Sequence, residues 1–333
     1  MLGILLSNLV TPDAPTPKAL RKYLKEFLWD PRVFDGIPRW VWWFILNGVV
    51  LRTRPEKSAK LYKKIWTENG SPLLLTTYDQ ARKLEQHYHQ ANKKNISIRV
   101  GMRYGHPGIP FALDQLKKDG CEKILLLPLY PQYCSATTAT TWDAFTSALS
   151  RSKNVLESRM VMRYYDHPQY IQAVVDSIQE EWSRSGKTEK LLFSFHGVPM
   201  RFSREGDSYE SECRVTAENV AEALSLSHDE WLISFQSRFG REEWLQPYTS
   251  DVIREFGRDE LESLSVVCPG FSVDCLETLE EMEEENKDIF LQAGGKQFTY
   301  ISCLNARDDH IRLMATLVDA HTQDWTKTMN NEK

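Results

Sequence analysis

The chain has 333 residues, 41% of them hydrophobic and 26% charged, and a formal net charge of −5. These proportions exclude a disordered, collagen-like or multi-spanning membrane chain. The mildly acidic balance gives no composition-level case for nucleic acid, and six cysteines without a CxxC pair build neither a small disulfide framework nor a zinc finger.

The opening Met1–Leu6 is apolar but lacks a basic flank, so it reads as a buried strand and not a signal peptide. The expected address is the cytoplasm, with thiols reduced. Near-continuous apolar runs recur at Gly3–Leu9, Ser97–Tyr104, Lys123–Leu129, Arg159–Tyr164, Lys190–Phe195, Trp231–Gln236, Leu264–Cys268 and Phe298–Cys303. Such runs predict parallel strands buried on both faces. Helical patterns lie between them, among them Pro72–Ala91, Pro168–Ser183, Ser211–Leu224 and Arg307–Ala320. This alternation predicts an α/β fold. Four strands fall on each side of a boundary near Asp166. The expected lobes are therefore 1–165 and 166–305, followed by a helix over 306–321 that packs back on the N-terminal lobe and a frayed polar tail over 322–333.

One segment breaks the rhythm. Arg39–Leu46, inside a stretch over about 36–51, holds three tryptophans and a phenylalanine in eight residues. It is too short to span a bilayer, which needs about 20 apolar residues. It is either a core helix or an apolar lip for a ligand or a membrane surface.

Several motif matches fail on context. Ser185-Gly186-Lys187-Thr188 ends like a P-loop, but Glu181 stands where that loop needs glycine. His87 and His89 are two apart on a helix and do not share a face.

Open parallel sheets bind ligands at the carboxyl ends of their strands. Those ends carry Asn8-Leu9, Arg103-Tyr104, Tyr130–Tyr133, His196-Gly197, Gln236–Phe239 and Cys268–Phe271, which are expected to converge at one cleft between the lobes. By residue type His196 is either a satisfied core histidine or a base or metal ligand at its strand end. On an α-helix beginning near Ser272 or Asp274, Glu277, Glu281 and Glu285 fall in one row. The row is either an acidic solvated face or a cation or proton track leading to Glu277.

Eight segments in chain order resemble the ferrochelatase family, bacterial type, whose members insert ferrous iron into a porphyrin. They are LLSNLVTP at the N-terminus, NGSPL from Asn69, GMRYGHP from Gly101, LPLYPQY from Leu127, FSFHGVP from Phe193, GDSYESEC from Gly206, FQSRFGREEWLQPYT from Phe235 and CPGFSVDCLETLEE from Cys268. The resemblance implies two Rossmann-like lobes, each with a four-stranded parallel sheet flanked by helices, and an active site in the cleft between them. It implies a catalytic, metal-facing pair, His196 in the HGVP motif and Glu277 in D-x-x-E-T-L. Arg103, Tyr104, Trp244, Phe271 and Asp274 match positions that line or support the porphyrin pocket. Leu9 and Tyr130, at neighbouring strand ends, join that expected substrate-binding set, with Glu281 and Glu285 as an outer proton or metal relay.

The implied reaction takes Fe²⁺ and protoporphyrin IX to protohaem and two protons, the terminal step of haem synthesis, with no organic cofactor. An imidazole can accept a pyrrole proton, and a carboxylate can relay it and steady a dication. The apolar lip favours protoporphyrin, which carries fewer carboxylates than coproporphyrin, and adds a peripheral membrane contact to the expectation. The alternatives are a chelatase for coproporphyrin or another divalent metal, and a non-catalytic tetrapyrrole carrier. The intact His196 and Glu277 favour the enzyme. There are departures from the family pattern: Val10, Trp66-Thr67 and Ala139-Thr140 replace glycine or serine types, and Cys275 stands where many relatives carry histidine. Some relatives bind a [2Fe–2S] cluster through C-terminal cysteines; no cysteine follows Cys303, and a cluster is not expected.

Overall fold

The eight apolar runs form eight parallel strands, four in each of two sheets. The computed structural model describes residues 1–93, 95–240 and 242–331. The first sheet contains β1 (Leu2–Ser7), β2 (Ile96–Val100), β3 (Lys123–Pro128) and β4 (Glu157–Met160), in the order β2-β1-β3-β4. The second contains β5 (Lys190–His196), β6 (Trp231–Gln236), β7 (Ser263–Val267) and β8 (Gln297–Ile301), in the order β6-β5-β7-β8. The two orders are the same, which the sequence did not reveal as a repeat.

The central strands explain the continuous apolar runs. Ile4 of β1 pairs with Ile98 and Leu125, and Phe193 of β5 pairs with Ile233 and Val267. All of β1 and Leu191–Phe195 of β5 are buried, as strands covered on both faces must be. The helices Pro17–Trp29, Pro72–Gln90, Ile109–Lys118 and Pro168–Ser185 each open with a proline at one of their first two positions. There the ring is pre-set for the helix and its missing N–H costs no intrahelical bond. Around the first sheet, Leu5, Ile124 and Leu126 pack with Leu113, Leu116 and Phe145. Around the second, Leu192, Leu264 and Val266 pack with Ile253, Met282 and Phe290.

Several strands stop earlier than expected. β1 ends at Ser7 and β2 at Val100, yet the chains run on side by side: Arg103 N donates to Asn8 O (2.9 Å) and Tyr104 N to Leu9 O (3.0 Å).

The chain groups into two compact units. One takes Met1–Leu129, Ser135–Met162 and the chain from Ala306 onward; the other takes Tyr130–Cys134 and Arg163–Asn305. The short insertion is tied into its unit where Tyr133 N donates to Glu212 Oε2 (2.6 Å) and Gln132 Nε2 to Thr216 Oγ1 (3.0 Å). The last helix runs from Asp308 to Asn331, past Thr322. Trp325 is buried, donates through Nε1 to Glu157 of β4, and lies beneath the Arg159 guanidinium at 4.3 Å. Positions 332 and 333 of the expected tail lie outside the described residues.

The aromatic segment divides residue by residue. It forms the helix Arg39–Ile45 and a π-helical turn, Leu46–Val50, that leads into the helix Leu51–Ile65. Trp42 belongs to the core: it packs with Leu24, Leu28, Leu46 and Leu51, stacks on Phe34 (3.9 Å), and donates from Nε1 to Leu28 O (2.8 Å). Trp40, Trp43 and Phe44 point outward, 70%, 49% and 63% exposed.

Candidate active site

His196 is the last residue of β5, and the chain must turn at once. Gly197 makes this possible by close approach: a Cβ there would meet Gln236 O at 2.8 Å and the Trp244 ring at 3.1 Å. The following residues pair with 243–245, as Leu245 N donates to Val198 O (3.0 Å) and Met200 N to Glu243 O (2.9 Å). That pairing sets Trp244, nearly buried, beside the histidine, with ring centroids 6.5 Å apart; Phe271 lies 6.3 Å from the same imidazole. Phe239 meets Trp244 edge-on at 4.9 Å.

The His196 ring is held at one nitrogen. Nδ1 lies 2.6 Å from Gly197 O. A carbonyl only accepts, so Nδ1 carries a proton, and in the neutral imidazole the lone pair lies on Nε2. Tyr209 Oη donates to His196 O at 3.0 Å and fixes the backbone beneath it.

The carboxylates are arranged differently from the expected row. Glu277 sits on the short helix Leu276–Leu279, whose backbone is gripped by Gln236 Nε2 donating to Glu277 O (2.7 Å). The chain then enters a π-helical turn, Glu281–Asn286, in which Glu285 N donates to Glu280 O, five residues back (2.9 Å). The wider turn breaks the four-residue period. Glu281 turns inward and accepts from Ser237 N (2.7 Å) and Ser237 Oγ, while Glu285 is exposed. Ser237 adopts a left-handed backbone, φ 61°, uncommon outside glycine. Burial pushes the Glu281 carboxyl up from the usual glutamate range; the Ser237 bonds and the charge of His196 oppose this, and the charge of Glu277 adds to it. Glu281 therefore feels both His196 and Glu277, and its carboxylate is turned inward onto Ser237. Among the described residues, no set of three or more His, Cys, Asp or Glu side chains is placed to hold a metal ion. All six cysteines are buried thiols.

Three expected substrate contacts are spoken for within the protein. Asp274 Oδ1 accepts from Tyr300 Oη (2.6 Å), Thr278 Oγ1 (3.1 Å) and Cys303 N (3.2 Å), and Oδ2 from Asn305 Nδ2 (2.6 Å). A carboxylate has about four acceptor sites, so these four bonds occupy Asp274 in holding the start of the Glu277 helix. In the other unit, Arg103 binds Asp30 through a terminal nitrogen and donates from Nε to Thr140 Oγ1 (2.6 Å). Tyr104 Oη and Thr140 Oγ1 donate to the same Asp30 oxygen (2.9 and 2.5 Å). Arg103 is thus held in a largely buried pair with Asp30. Leu9 is half-buried beside Tyr104, accepting the Tyr104 N–H, and Tyr130 is buried at the start of the Tyr130–Cys134 insertion. Ser237 and Gln236, which anchor Glu281 and Glu277, were legible as a strand-end cluster but not as the carboxylates' partners.

Two parallel sheets of one topology, with ligand-type residues at their carboxyl ends, define the two-lobed fold of the chelatases. The structure is similar to that of SirB from Bacillus subtilis with Fe³⁺, at a TM-score of 0.54 and 12% identity over 96% of this chain and 94% of that one. It is also similar to CbiX, the terminal enzyme for biosynthesis of sirohaem in denitrifying bacteria, at a TM-score of 0.51 and 12% identity over 96% and 98%. The ferrochelatase family model matches residues 1–322. Ferrochelatase from Marinobacter nauticus is 48% identical over 97% of this chain and 87% of that protein, and ferrochelatase from Actinobacillus pleuropneumoniae serotype 5b is 49% identical over 96% and 98%. The chain belongs to the ferrochelatase family. It is a porphyrin metal chelatase, a ferro-lyase of haem synthesis.

Proposed function

We propose that the porphyrin is protoporphyrin IX, metallated by Fe²⁺ with His196 as the first proton acceptor. The observation that carries this reading is the His196 ring, whose Nδ1 proton is bound to Gly197 O, so that Nε2 is the nitrogen that bears the lone pair of the neutral imidazole. Metallation breaks two pyrrole N–H bonds, and the nitrogen pairs left behind bind the iron; the two protons leave as the charge of Fe²⁺ is cancelled. Nε2 takes a proton from the macrocycle. Glu281, which holds a proton to higher pH than an ordinary glutamate, accepts it from the imidazolium side, and Glu277 steadies the cation. Trp244 and Phe271 supply flat apolar faces beside the imidazole for the ring. Iron enters as substrate, with His196 and Glu277 as the protein donors it meets.

Replacing His196 with alanine tests this. Zinc or iron insertion into protoporphyrin, followed by absorbance and fluorescence, is expected to be lost, with the melting temperature unchanged and porphyrin binding altered by only a small factor. Normal turnover in that variant sinks the assignment. A wild-type protein that binds protoporphyrin yet never metallates it would be a carrier, and one that prefers coproporphyrin would overturn the substrate choice.

The exposed Trp40, Trp43 and Phe44 support protoporphyrin over coproporphyrin and support a peripheral contact with a membrane surface from the cytoplasmic side. Tryptophan favours that interface because its ring and its N–H are both satisfied there. No helix among the described residues is long and apolar enough to cross a membrane.

A further inference from the structure

We propose that the protein docks selectively on bilayers containing anionic phospholipid, through a basic groove that adjoins its exposed aromatic face. This rests on the reading of Trp40, Trp43 and Phe44 as a membrane-facing surface and names the lipid class that the surface selects.

A groove of about 360 Å³ is lined by Arg21, Lys25, Asn47, Leu51 and Arg52. It shares Lys25 and Asn47 with a second groove of about 400 Å³, walled by Trp29, Trp43 and Leu46. The two form one continuous surface, cationic at one end and aromatic at the other. Arg21 donates from Nε to Leu51 O (2.9 Å), which fixes its guanidinium at the first groove. Among the described residues neither Lys25 nor Arg52 has a carboxylate partner, and no acidic side chain lines the first groove. Glu26, in the second, spends Oε2 on Gly105 N (2.9 Å).

The charge around this surface runs against that of the chain. Residues 17–64 hold twelve Lys and Arg against four Asp and Glu, in a protein whose net charge is −5. A cationic segment on an acidic protein is complementary to an anionic surface. The adjoining tryptophans select a bilayer interface over a polyanion such as a nucleic acid, which offers no apolar layer for Trp43 and Phe44. Three cations at the lip of an apolar face provide the second signal that stable peripheral anchoring needs.

The test is co-sedimentation with vesicles of phosphatidylcholine alone and of phosphatidylcholine with phosphatidylglycerol, at low and high salt. Each Lys or Arg near an anionic surface is worth about fivefold in partitioning. The double variant Lys25→Gln/Arg52→Gln is therefore expected to lose about 25-fold on anionic vesicles while keeping its weak binding to neutral ones. It should also keep its melting temperature and its turnover with detergent-dispersed porphyrin. Trp43→Ser/Phe44→Ser is expected to lose binding to both vesicle types, which reports the underlying membrane reading separately. The proposal is overturned if wild type binds neutral and anionic vesicles equally, if the Lys25/Arg52 variant retains full anionic preference, or if glycerol phosphate saturates the groove while anionic vesicles are not bound. Failure of wild type to bind either vesicle would overturn the membrane reading along with it.

Discussion

Trp42 and its neighbours Trp43 and Phe44 should behave as opposites, although all three lie within one helical turn. Trp42 is 7% exposed, stacked on Phe34 at 3.9 Å, and its Nε1 is the donor for Leu28 O. Replacing it with alanine removes a large buried ring, at about 3–5 kcal/mol, and leaves the Leu28 carbonyl without that donor, which adds about 1 kcal/mol. A loss of about 4–6 kcal/mol is a large part of the stability of a domain of this size. At roughly 2–4 °C per kcal/mol it lowers the melting temperature by about 10–20 °C. The double change Trp43→Ser/Phe44→Ser removes side chains about half or more exposed, and should shift stability by no more than about 1 kcal/mol. Thermal and urea unfolding followed by circular dichroism measure both. If Trp42→Ala melted with wild type, the stack and hydrogen bond would not be core interactions. If the double variant melted as early as Trp42→Ala, Trp43 and Phe44 would be structural and the membrane-facing surface would be lost with them.

Other expectations follow from the carboxylates and from Gly197. Glu277→Gln should slow metal insertion by about 100-fold or more, whereas Glu285→Gln, at an exposed position beyond the π turn, should stay within about twofold; equal losses would restore the single row. Glu281 has its folded value raised, so folding favours its protonated form. Its cost to stability is absent below the ordinary glutamate value, about 4.3, and grows as pH rises from there through the folded value. Glu281→Gln should therefore gain stability relative to wild type as pH rises from 4 towards 8, read by urea melts, and a pH-independent difference would contradict the burial argument. Gly197→Ala puts a methyl 2.8 Å from Gln236 O and 3.1 Å from Trp244; it should cost about 1–3 kcal/mol and weaken porphyrin binding as Trp244 is displaced. Wild-type stability and affinity in that variant would show that the turn yields freely.

The strands were legible because burial on both faces leaves a continuous apolar signature, and their carboxyl ends told where the polar residues would gather. The partners of those residues were not legible, because they come from far along the chain. Asp30 reaches Arg103 and Tyr104 from the end of the helix Pro17–Trp29, while Tyr300 of β8 and Asn305 beyond it reach Asp274. Arg103 was expected to face a ligand from its strand-end place and, like Asp274, from the family resemblance; each is hydrogen-bonded inside the fold. The run Glu281–Asn286 has the spacing of an α-helix; the Glu285 N–H on Glu280 O (2.9 Å) shows the wider turn, with Met282 packed into the core and Asn286 Nδ2 donating to Glu281 O (2.7 Å). The tail misled for a similar reason: its polar composition hid one tryptophan that β4 captures.

The shared strand order makes the difference between the two units a matter of chemistry at equivalent places. After β2, Met102 N donates to Pro107 O; on β6, Phe235 N donates to Pro247 O, so each loop folds back on its own strand before the next helix. At the end of the first of these strands stand Arg103 and Tyr104, both turned onto Asp30 in a pair sealed by Thr140. At the end of the second stands Ser237, whose N–H and hydroxyl draw Glu281 in beside His196. The first arrangement spends its charges on holding an ionised carboxylate: despite the burial that opposes it, bonds from Thr140, the Arg32 N–H, Arg103 and Tyr104 keep Asp30 below its usual range. The second meets a carboxylate with neutral donors and burial, so that Glu281 is driven the other way. A protein that must take protons from a neutral ring needs a carboxyl whose proton is neither lost outright nor locked in place. On the proposed reading the second of these strand ends holds that carboxyl, next to the end of β5 where His196 pairs with Gln236.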